Sequence, residues 1–186
     1  MKLETRFSLV GDNPITLAQA KAHLRVATAN TSEDTMITAM IDSATEWCER
    51  YLMRSLREKT VEALFTDTNG VLELDLPYAP IDTVSEVLAV YGDGTTSEIA
   101  SGSYSEIGLN ERQLQVPYLF TTRGLKGYKV TYTTLDECPS GVKEVILKMV
   151  AELWAVRSVT VDGQIAEPQM LSMYKLLDPY RLKTWF

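Results

Sequence analysis

Histidine and cysteine are scarce in this sequence, which limits the chemistry it can perform. His23 is the only histidine, and Cys48 and Cys138 are the only cysteines. These side chains cannot supply a closed zinc site, and the cysteines are too far apart in sequence for a Cys-x-x-Cys pair. No Gly-x-Ser-x-Gly motif accompanies His23. We therefore predict no metal, no cofactor, no catalytic residue and two reduced cysteines, in a protein that is not an enzyme.

Long apolar runs and an excess of positive charge are also missing. No stretch approaches the roughly 20 apolar residues that cross a bilayer, and the N-terminal residues lack the basic-then-apolar pattern of a secretory signal. We therefore expect a cytoplasmic protein without a membrane partner. Asp and Glu number 25 against 18 Lys and Arg, a net charge of −7. This balance argues against a protein that binds nucleic acid through its phosphates.

The composition that remains is that of an ordinary globular protein, with 45% hydrophobic and 23% charged residues. A chain of 186 residues is long enough to bury one substantial core. Near its start, Thr16 is followed three residues later by Gln19, the spacing of a capping box. This pattern predicts a short helix that ends near Arg25.

A longer helix is predicted from Ser32 onward. Ser32 is expected to cap it, and Glu33 and Asp34 place acidic charge in the first turn, where the helix dipole favours it. Apolar residues then recur at spacings of one, three and four, as on the buried face of a helix. That stripe comprises Met36, Ile37, Met40, Ile41, Ala44, Trp47, Cys48, Tyr51 and Leu52.

The middle of the chain, from about residue 59 to residue 134, is predicted to be an antiparallel β region. Asn69-Gly70 and Asp93-Gly94 are turn dipeptides between short apolar runs. Gly92 precedes the second of them, but the Lys and the helix start of a phosphate-binding loop are missing, so we interpret this segment as a hairpin turn. The alternating runs include Val61, Ala63, Phe65, Val71, Leu72, Leu74, Leu76, Val84, Val87, Leu88, Val90, Leu114, Val116, Tyr128, Val130 and Tyr132.

Two further helices are predicted after the β region. Pro139 and Ser140 open the first, whose apolar stripe continues until near Arg157. A loop follows, and a last helix is expected around Met170 to Leu177 because Pro179 stops it.

Helices at both ends of a β-rich middle predict an α+β fold, a helical bundle of N- and C-terminal helices with an inserted antiparallel β region. We expect one domain over residues 1–186. Its helices are predicted in about 16–56 and 139–157, its β insertion in about 59–134, and a C-terminal arm in about 168–186.

Five segments stand out by their order and spacing along the chain. The most specific pieces are the end of the first helix, the turn between two strands and the opening of the later helix. The five are ITLAQAKAHLRV (Ile15 to Val26), SEDTMITAMIDSATEWCERYLMRSL (Ser32 to Leu56), LELDLPYAPIDTVSEV (Leu72 to Val87), GYKVTYTT (Gly127 to Thr134) and CPSGVKEVILKMVAELWAVR (Cys138 to Arg157). In this order they resemble the head-tail connector, or adaptor, family of tailed bacteriophages and prophages.

The resemblance implies a structural role in the neck of a virion. Members of this family form a ring, commonly of twelve copies, beneath the portal protein at the vertex where DNA leaves the head. The implied partners are other copies of the chain, the portal, and a stopper or tail-completion protein. DNA passes through the ring without being read, and assembly takes place in the cytoplasm of the bacterial host. An acidic protein suits such passage, because a lumen of Lys and Arg would bind the genome.

The resemblance also implies that the C-terminal segment reaches the portal. This segment is rich in aromatic residues and cations, the types that dominate interface energetics. The residues predicted to contact the portal are Tyr174, Tyr180, Arg181, Lys183, Trp185 and Phe186. The alternative is that this segment folds back onto the protein's own core.

Three other functions remain open at this point. A stopper or tail-completion protein would share the size, the acidity and the lack of catalytic motifs, although a long helix pair favours the adaptor. A small hydrolase or nuclease with an unrecognised site would need a cleft with clustered acids or an engaged His23. A helical adaptor domain that binds peptides in a groove is the third.

Overall fold

The fold is described from a computed structural model over residues 1–68, 73–107, 113–117, 124–156 and 170–181. Over these residues the chain forms helices and antiparallel sheets, which confirms the predicted α+β class. It divides into two compact units. The β unit comprises Met1–Asp12 and Arg57–Asp136, and the helical unit comprises Asn13–Leu56 and Glu137–Phe186. Each unit has its own buried core.

The first helix, α1, spans Leu17–Leu24 and is set by local chemistry at both ends. The Thr16 hydroxyl accepts a hydrogen bond from the Gln19 amide at 3.2 Å, and the Gln19 side chain accepts one from the Thr16 amide at 2.9 Å. This is the predicted capping box. Arg25 ends the helix in the left-handed conformation, with φ at 57°.

The second helix, α2, spans Asp34–Leu52, and the prediction that Ser32 caps it is wrong. Glu33 stands at the N-cap position and makes no side-chain cap. The Ser32 hydroxyl and amide instead donate to Asn30 Oδ1, at 2.7 and 3.2 Å. The reason is a competing local turn, because the hydrogen bond to Asn30 orients the Ser32 hydroxyl toward that side chain and not toward the amides of the first helical turn.

The buried Lys21 side chain forms hydrogen bonds to the loop between α1 and α2. It is 3% exposed. Its ammonium donates to the carbonyls of Thr28 and Asn30 at 3.2 and 2.6 Å, and to Asp34 Oδ1 at 2.5 Å. One buried cation therefore joins two backbone carbonyls and a carboxylate, so the loop is held by this network in addition to its own turn hydrogen bonds.

Replacing Lys21 with methionine is expected to lower the free energy of unfolding by about 1–3 kcal/mol, because it leaves two carbonyls and a carboxylate without their donor. Urea unfolding followed by circular dichroism measures the change. Lys148→Met is the matched control, since Lys148 forms an exposed i,i+4 pair with Glu144 at 2.8 Å, worth less than about 0.5 kcal/mol. Equal losses in both variants would contradict the network.

The helical unit is completed by α3, Ser140–Ala155, and α4, Met170–Leu177, with a short 3-10 turn over Asp178–Tyr180. Both helices begin where the sequence predicts. The α3 helix ends at Ala155, and Arg157 lies outside the described residues. The buried core comprises Ile15, Ala20, Ile37, Ile41, Ala44, Cys48, Leu52, Leu56, Val142, Val145, Ile146, Met149, Val150, Met173 and Leu177.

Cys48 lies inside this core, as its position on the apolar stripe predicts, and neither cysteine forms a disulfide. Burial raises the pKa of the Cys48 thiol to about 12, with smaller contributions from Cys138 and Glu49. Because the thiolate is the reactive form, Cys48 is expected to resist alkylation in the native protein.

Iodoacetamide at pH 8, read by mass spectrometry, is expected to modify half-buried Cys138 first and to reach Cys48 only when the protein unfolds. The same reaction in denaturant is the control, and there both thiols should react alike. Rapid modification of Cys48 in the native protein would contradict its burial.

The β unit contains two antiparallel sheets. The larger has the strand order β1-β2-β8-β4-β5, and the smaller has the order β3-β7-β6. The strands are β1 Lys2–Leu9, β2 Lys59–Thr66, β3 Glu73–Asp75, β4 Ile81–Tyr91, β5 Thr96–Glu98, β6 Ser105–Ile107, β7 Gln113–Gln115 and β8 Leu125–Thr134.

The larger sheet differs from the predicted β region in one strand. From Lys59 to Thr134 the strands fall within the predicted range, but β1 precedes it and pairs with β2 along its whole length. Alternation is present in β1, yet the residues that pair with it lie 50 to 64 positions later, from Leu9 with Lys59 to Lys2 with Thr66. A single short run does not show which strand it pairs with. The last strand, β8, lies in the centre between β2 and β4.

Side chains from both sheets share the core of the β unit. Two tyrosines of β8 cross it and donate hydrogen bonds from their hydroxyls, Tyr128 to the Pro117 carbonyl at 2.8 Å and Tyr132 to the Pro77 carbonyl. Buried phenols with satisfied hydroxyls combine apolar burial with a fixed orientation. The core comprises Val61, Ala63, Phe65, Leu74, Leu76, Ile81, Val87, Ala89, Tyr91, Ile99, Leu114, Val116, Tyr128, Val130 and Tyr132.

Candidate functional site

An aromatic cluster joins the C-terminal helix to α2 within the helical unit. It consists of Trp47, Tyr51 and Tyr174, all half-buried. Trp47 and Tyr51 stack with centroids 5.7 Å apart and planes at 5°. The Tyr174 ring lies 5.2 Å from Trp47 and 4.8 Å from Tyr51 in tilted geometry. Such pairs add about 0.5–1.5 kcal/mol each beyond the area they bury, so the cluster fixes α4 on α2.

A polar pair extends the aromatic cluster along the chain. The Tyr51 hydroxyl donates to Asp178 Oδ1, and the Arg181 guanidinium lies 5.1 Å from the Tyr51 ring centroid. The hydrogen bond to Asp178 raises the pKa of Tyr51, because it stabilises the neutral phenol. Tyr51 thus contacts both the Asp178 carboxylate and the Arg181 guanidinium of the turn after α4.

Tyr180 lies against the start of α3. A Cβ built on Gly141 would lie 2.6 Å from the Tyr180 hydroxyl oxygen, so the phenol occupies the space that the glycine leaves. The ring packs against the buried core of the helical unit and is itself half-buried. The first turn of α3 therefore accepts Tyr180 because residue 141 has no side chain.

The structure places the six predicted portal-contact residues in different situations. Tyr174 and Tyr180 pack on the helical unit itself, and Arg181 is exposed beside Tyr51. The other three, Lys183, Trp185 and Phe186, lie outside the described residues. For the part over residues 170–181, folding back onto the core is what the contacts show. A portal contact stays a prediction.

Sequence reasoning assigned Trp47 and Tyr51 to the core stripe and missed their role beside the C-terminal segment. Their spacing of four residues on α2 is a signal for a paired aromatic surface. The sequence does not show that Tyr174 completes that surface, because Tyr174 lies more than a hundred residues later. Spatial proximity of this kind comes only from the packing of the helices.

The residues that could support catalysis or metal binding are dispersed. Within the described ranges, no group of three or more His, Cys, Asp or Glu side chains is placed to hold a metal ion. His23 is exposed in the last turn of α1. The pKa of the nearby Glu144 is lowered by the Lys148 hydrogen bond, then by the Lys148 charge, and least by His23. No helix in the described part of the chain is long and apolar enough to cross a membrane.

Solved structures with the same fold come from phage-like particles. The chain is similar to one in the virion of a native gene transfer agent (GTA) particle, with a TM-score of 0.71, 16% identity and 97% of each chain covered. It is also similar to a chain in the neck of an empty GTA particle computed with C6 symmetry, with a TM-score of 0.71 and 17% identity. A third similar chain comes from the neck of a native GTA particle computed with C12 symmetry, with a TM-score of 0.69 and 16% identity. Each of these two also covers 97% of both chains.

Sequence comparison gives the family. No curated protein matches the chain. The family described as phage gp6-like head-tail connector protein matches residues 14–121, which is more than half of the 186 residues. The match begins two residues before Thr16, the predicted N-cap of the first helix, and ends before the last strand, β8. The chain belongs to the phage gp6-like head-tail connector protein family.

Proposed function

We propose that this head-tail connector is a structural subunit of a ring in the neck of a phage or prophage particle, where it joins the DNA-filled head to the tail. The observation that carries the proposal is the family match over residues 14–121. The GTA neck with a similar chain was computed with C12 symmetry, which supports a ring of twelve copies. Both units then belong to one connector domain over residues 1–186.

The proposed ring has partners on both sides. Neighbouring copies close the ring, the portal protein lies on the head side, and a stopper or tail-completion protein lies on the tail side. DNA passes through without specific binding, and the net charge of −7 supports this passage, because clustered Lys and Arg would bind the phosphates. This role requires no catalytic residue, cofactor or membrane, and the ring assembles in the host cytoplasm.

We assign the portal contact to the C-terminal arm in two parts. Tyr174 and Tyr180, which pack on the helical unit, anchor the arm. Arg181, with Lys183, Trp185 and Phe186 after it, contacts the portal. Aromatic residues and arginine are frequent among the few residues that carry most of the energy of an interface.

Removing residues 182–186 tests the arm without touching the aromatic cluster. Because every described contact of the arm lies before this segment, the melting temperature should stay unchanged while binding to the portal protein is lost. Binding is measured by co-sedimentation with purified portal. Unchanged binding, or a general loss of stability, would each contradict the assignment.

Solution mass tests the ring itself. Twelve copies of a 20.8 kDa chain have a mass of about 250 kDa. Light scattering is performed on the purified protein alone and with the portal protein, and large species are imaged by negative stain. Rings, alone or only on the portal, are the expected result. A monomer that ignores the portal would contradict the proposal and favour a stopper or tail-completion role.

A further inference from the structure

The outer side of β1 is an open strand edge. β1 lies at the end of the five-stranded sheet, and its eight residues pair with β2 one to one, from Lys2 opposite Thr66 to Leu9 opposite Lys59. Among the described residues, no strand pairs with its other side. An edge of this length without a proline or a bulge presents unpaired amide and carbonyl groups that can pair with another strand.

An apolar rim runs along the same strand. We give this name to Leu3, Phe7 and Leu9, which are 44%, 46% and 49% exposed. Leu3 lies opposite Phe65 and Phe7 lies opposite Val61, and both partners are fully buried. The core face of the sheet therefore continues onto β1 and is left half-exposed there. Adjacent exposed apolar side chains of this kind mark an interaction surface.

The two edges of this sheet differ in charge. On β1, the exposed charged residues are Lys2, Glu4 and Arg6, two cations in an acidic protein. At the opposite edge, β5 pairs with Leu88 to Val90 of β4, and the Ile99 amide donates to the Val87 carbonyl, so among the described strands none pairs with the outer side of β4 before Val87. Every charged residue from Ile81 through Glu98 is acidic. We call Asp82, Glu86 and Glu98 the acidic edge.

These differences fit the requirement of a ring. A cyclic assembly uses a heterologous contact, in which two different surfaces of each copy meet. The two edges of one sheet are such a pair, because one is cationic with an apolar rim and the other is acidic. The strand directions are also compatible with this contact. Within the sheet, β1 and β4 run in opposite directions. Placing β1 of one copy next to β4 of another therefore continues the antiparallel pattern.

We propose that β1 of one copy docks on the acidic edge of the next copy, and that this contact closes the ring. The inference rests on the proposed function, because it names the surface by which the connector assembles. β4 has register irregularities between Ile81 and Glu86, so the strand pairing is short there. Side-chain charge and the apolar rim supply the rest of the contact.

Charge reversal tests the contact in both directions. The first variant carries Lys2→Glu and Arg6→Glu, the second carries Asp82→Lys and Glu86→Lys, and the third combines all four. Among the described residues, Lys2 and Arg6 form long, exposed pairs with Asp67 and Glu62, at 3.7 and 3.9 Å, so the loss of these pairs costs the monomer little stability. The matched control for the first variant, Lys126→Glu with Arg50→Glu, changes the net charge by the same amount at two other exposed positions outside the C-terminal arm.

Ring formation is followed by light scattering with the portal protein present, and melting curves show that each variant is folded. Each double variant is expected to need about tenfold more protein for half-assembly, and the combined variant and the control should assemble like the unmodified protein. Unchanged assembly of either double variant, or no recovery in the combined one, would overturn the docking and leave the connector ring standing. An unmodified protein that forms no ring would overturn both.

Discussion

Replacing Gly127 with alanine is expected to destabilise the β unit by about 3 kcal/mol or more, or to prevent its folding. Gly127 lies in β8 between Thr66 of β2 and Val90 of β4. A Cβ there would lie 1.8 Å from the Phe65 carbonyl oxygen and 2.8 Å from its carbon. These are backbone atoms that cannot rotate away, so β2 and β8 would have to separate.

The comparison for this variant is Gly102→Ala. Gly102 has no atom within 4 Å of the position of a Cβ, and it is exposed, so the same change should shift stability by less than about 0.5 kcal/mol. Thermal unfolding followed by far-ultraviolet circular dichroism measures both. A Gly127→Ala protein with the midpoint of the unmodified chain would show that the two strands do not approach as closely as the structure has them.

The second large effect is expected at α4. Leu177 is fully buried in the core of the helical unit, whereas its neighbour Leu176 is 47% exposed. Leu177→Ala should cost about 2–5 kcal/mol, because it removes apolar contacts and leaves a cavity. Leu176→Ala should cost less than about 0.5 kcal/mol. Both variants replace a leucine with alanine at neighbouring positions of the same helix, so the change in helix propensity is the same in each.

Tryptophan fluorescence is the suitable probe for the Leu177 pair. All three tryptophans lie in the sequence ranges of the helical unit, so their emission during urea unfolding reports on that unit. If Leu176→Ala and Leu177→Ala shift the midpoint equally, α4 is not a part of the core. The burial of Leu177 in the helical unit would then be contradicted.

The elements of the helical unit were predictable because the information for them is local. The Thr16 capping box and the apolar stripe of α2 each lie within a few helical turns, where spacing alone decides the structure. The exception at Ser32 was also local, but the Ser32 hydroxyl could either cap the helix or donate to Asn30, and the sequence does not rank these two options.

The candidate site was predicted only in part, for a physical reason. The aromatic and basic composition of the C-terminal segment pointed to Tyr174, Tyr180 and Arg181, but the surface that they meet is formed by Trp47 and Tyr51. No rule of spacing connects residues that distant. Their contact depends on α4 packing beside α2, which is a property of the whole core.

By itself, the sequence determined the class of the protein, the places of its helices, its lack of a catalytic motif and its resemblance to the connector family. Tertiary structure alone decided that β1 forms the edge of the larger sheet, that β8 lies at its centre, and that Lys21 is buried beneath a loop. Helix signals are carried by neighbours three and four residues apart, whereas strand order and buried cations depend on segments distant in sequence. The unpaired edge of a sheet can therefore be identified only when the pairing of all the other strands is known.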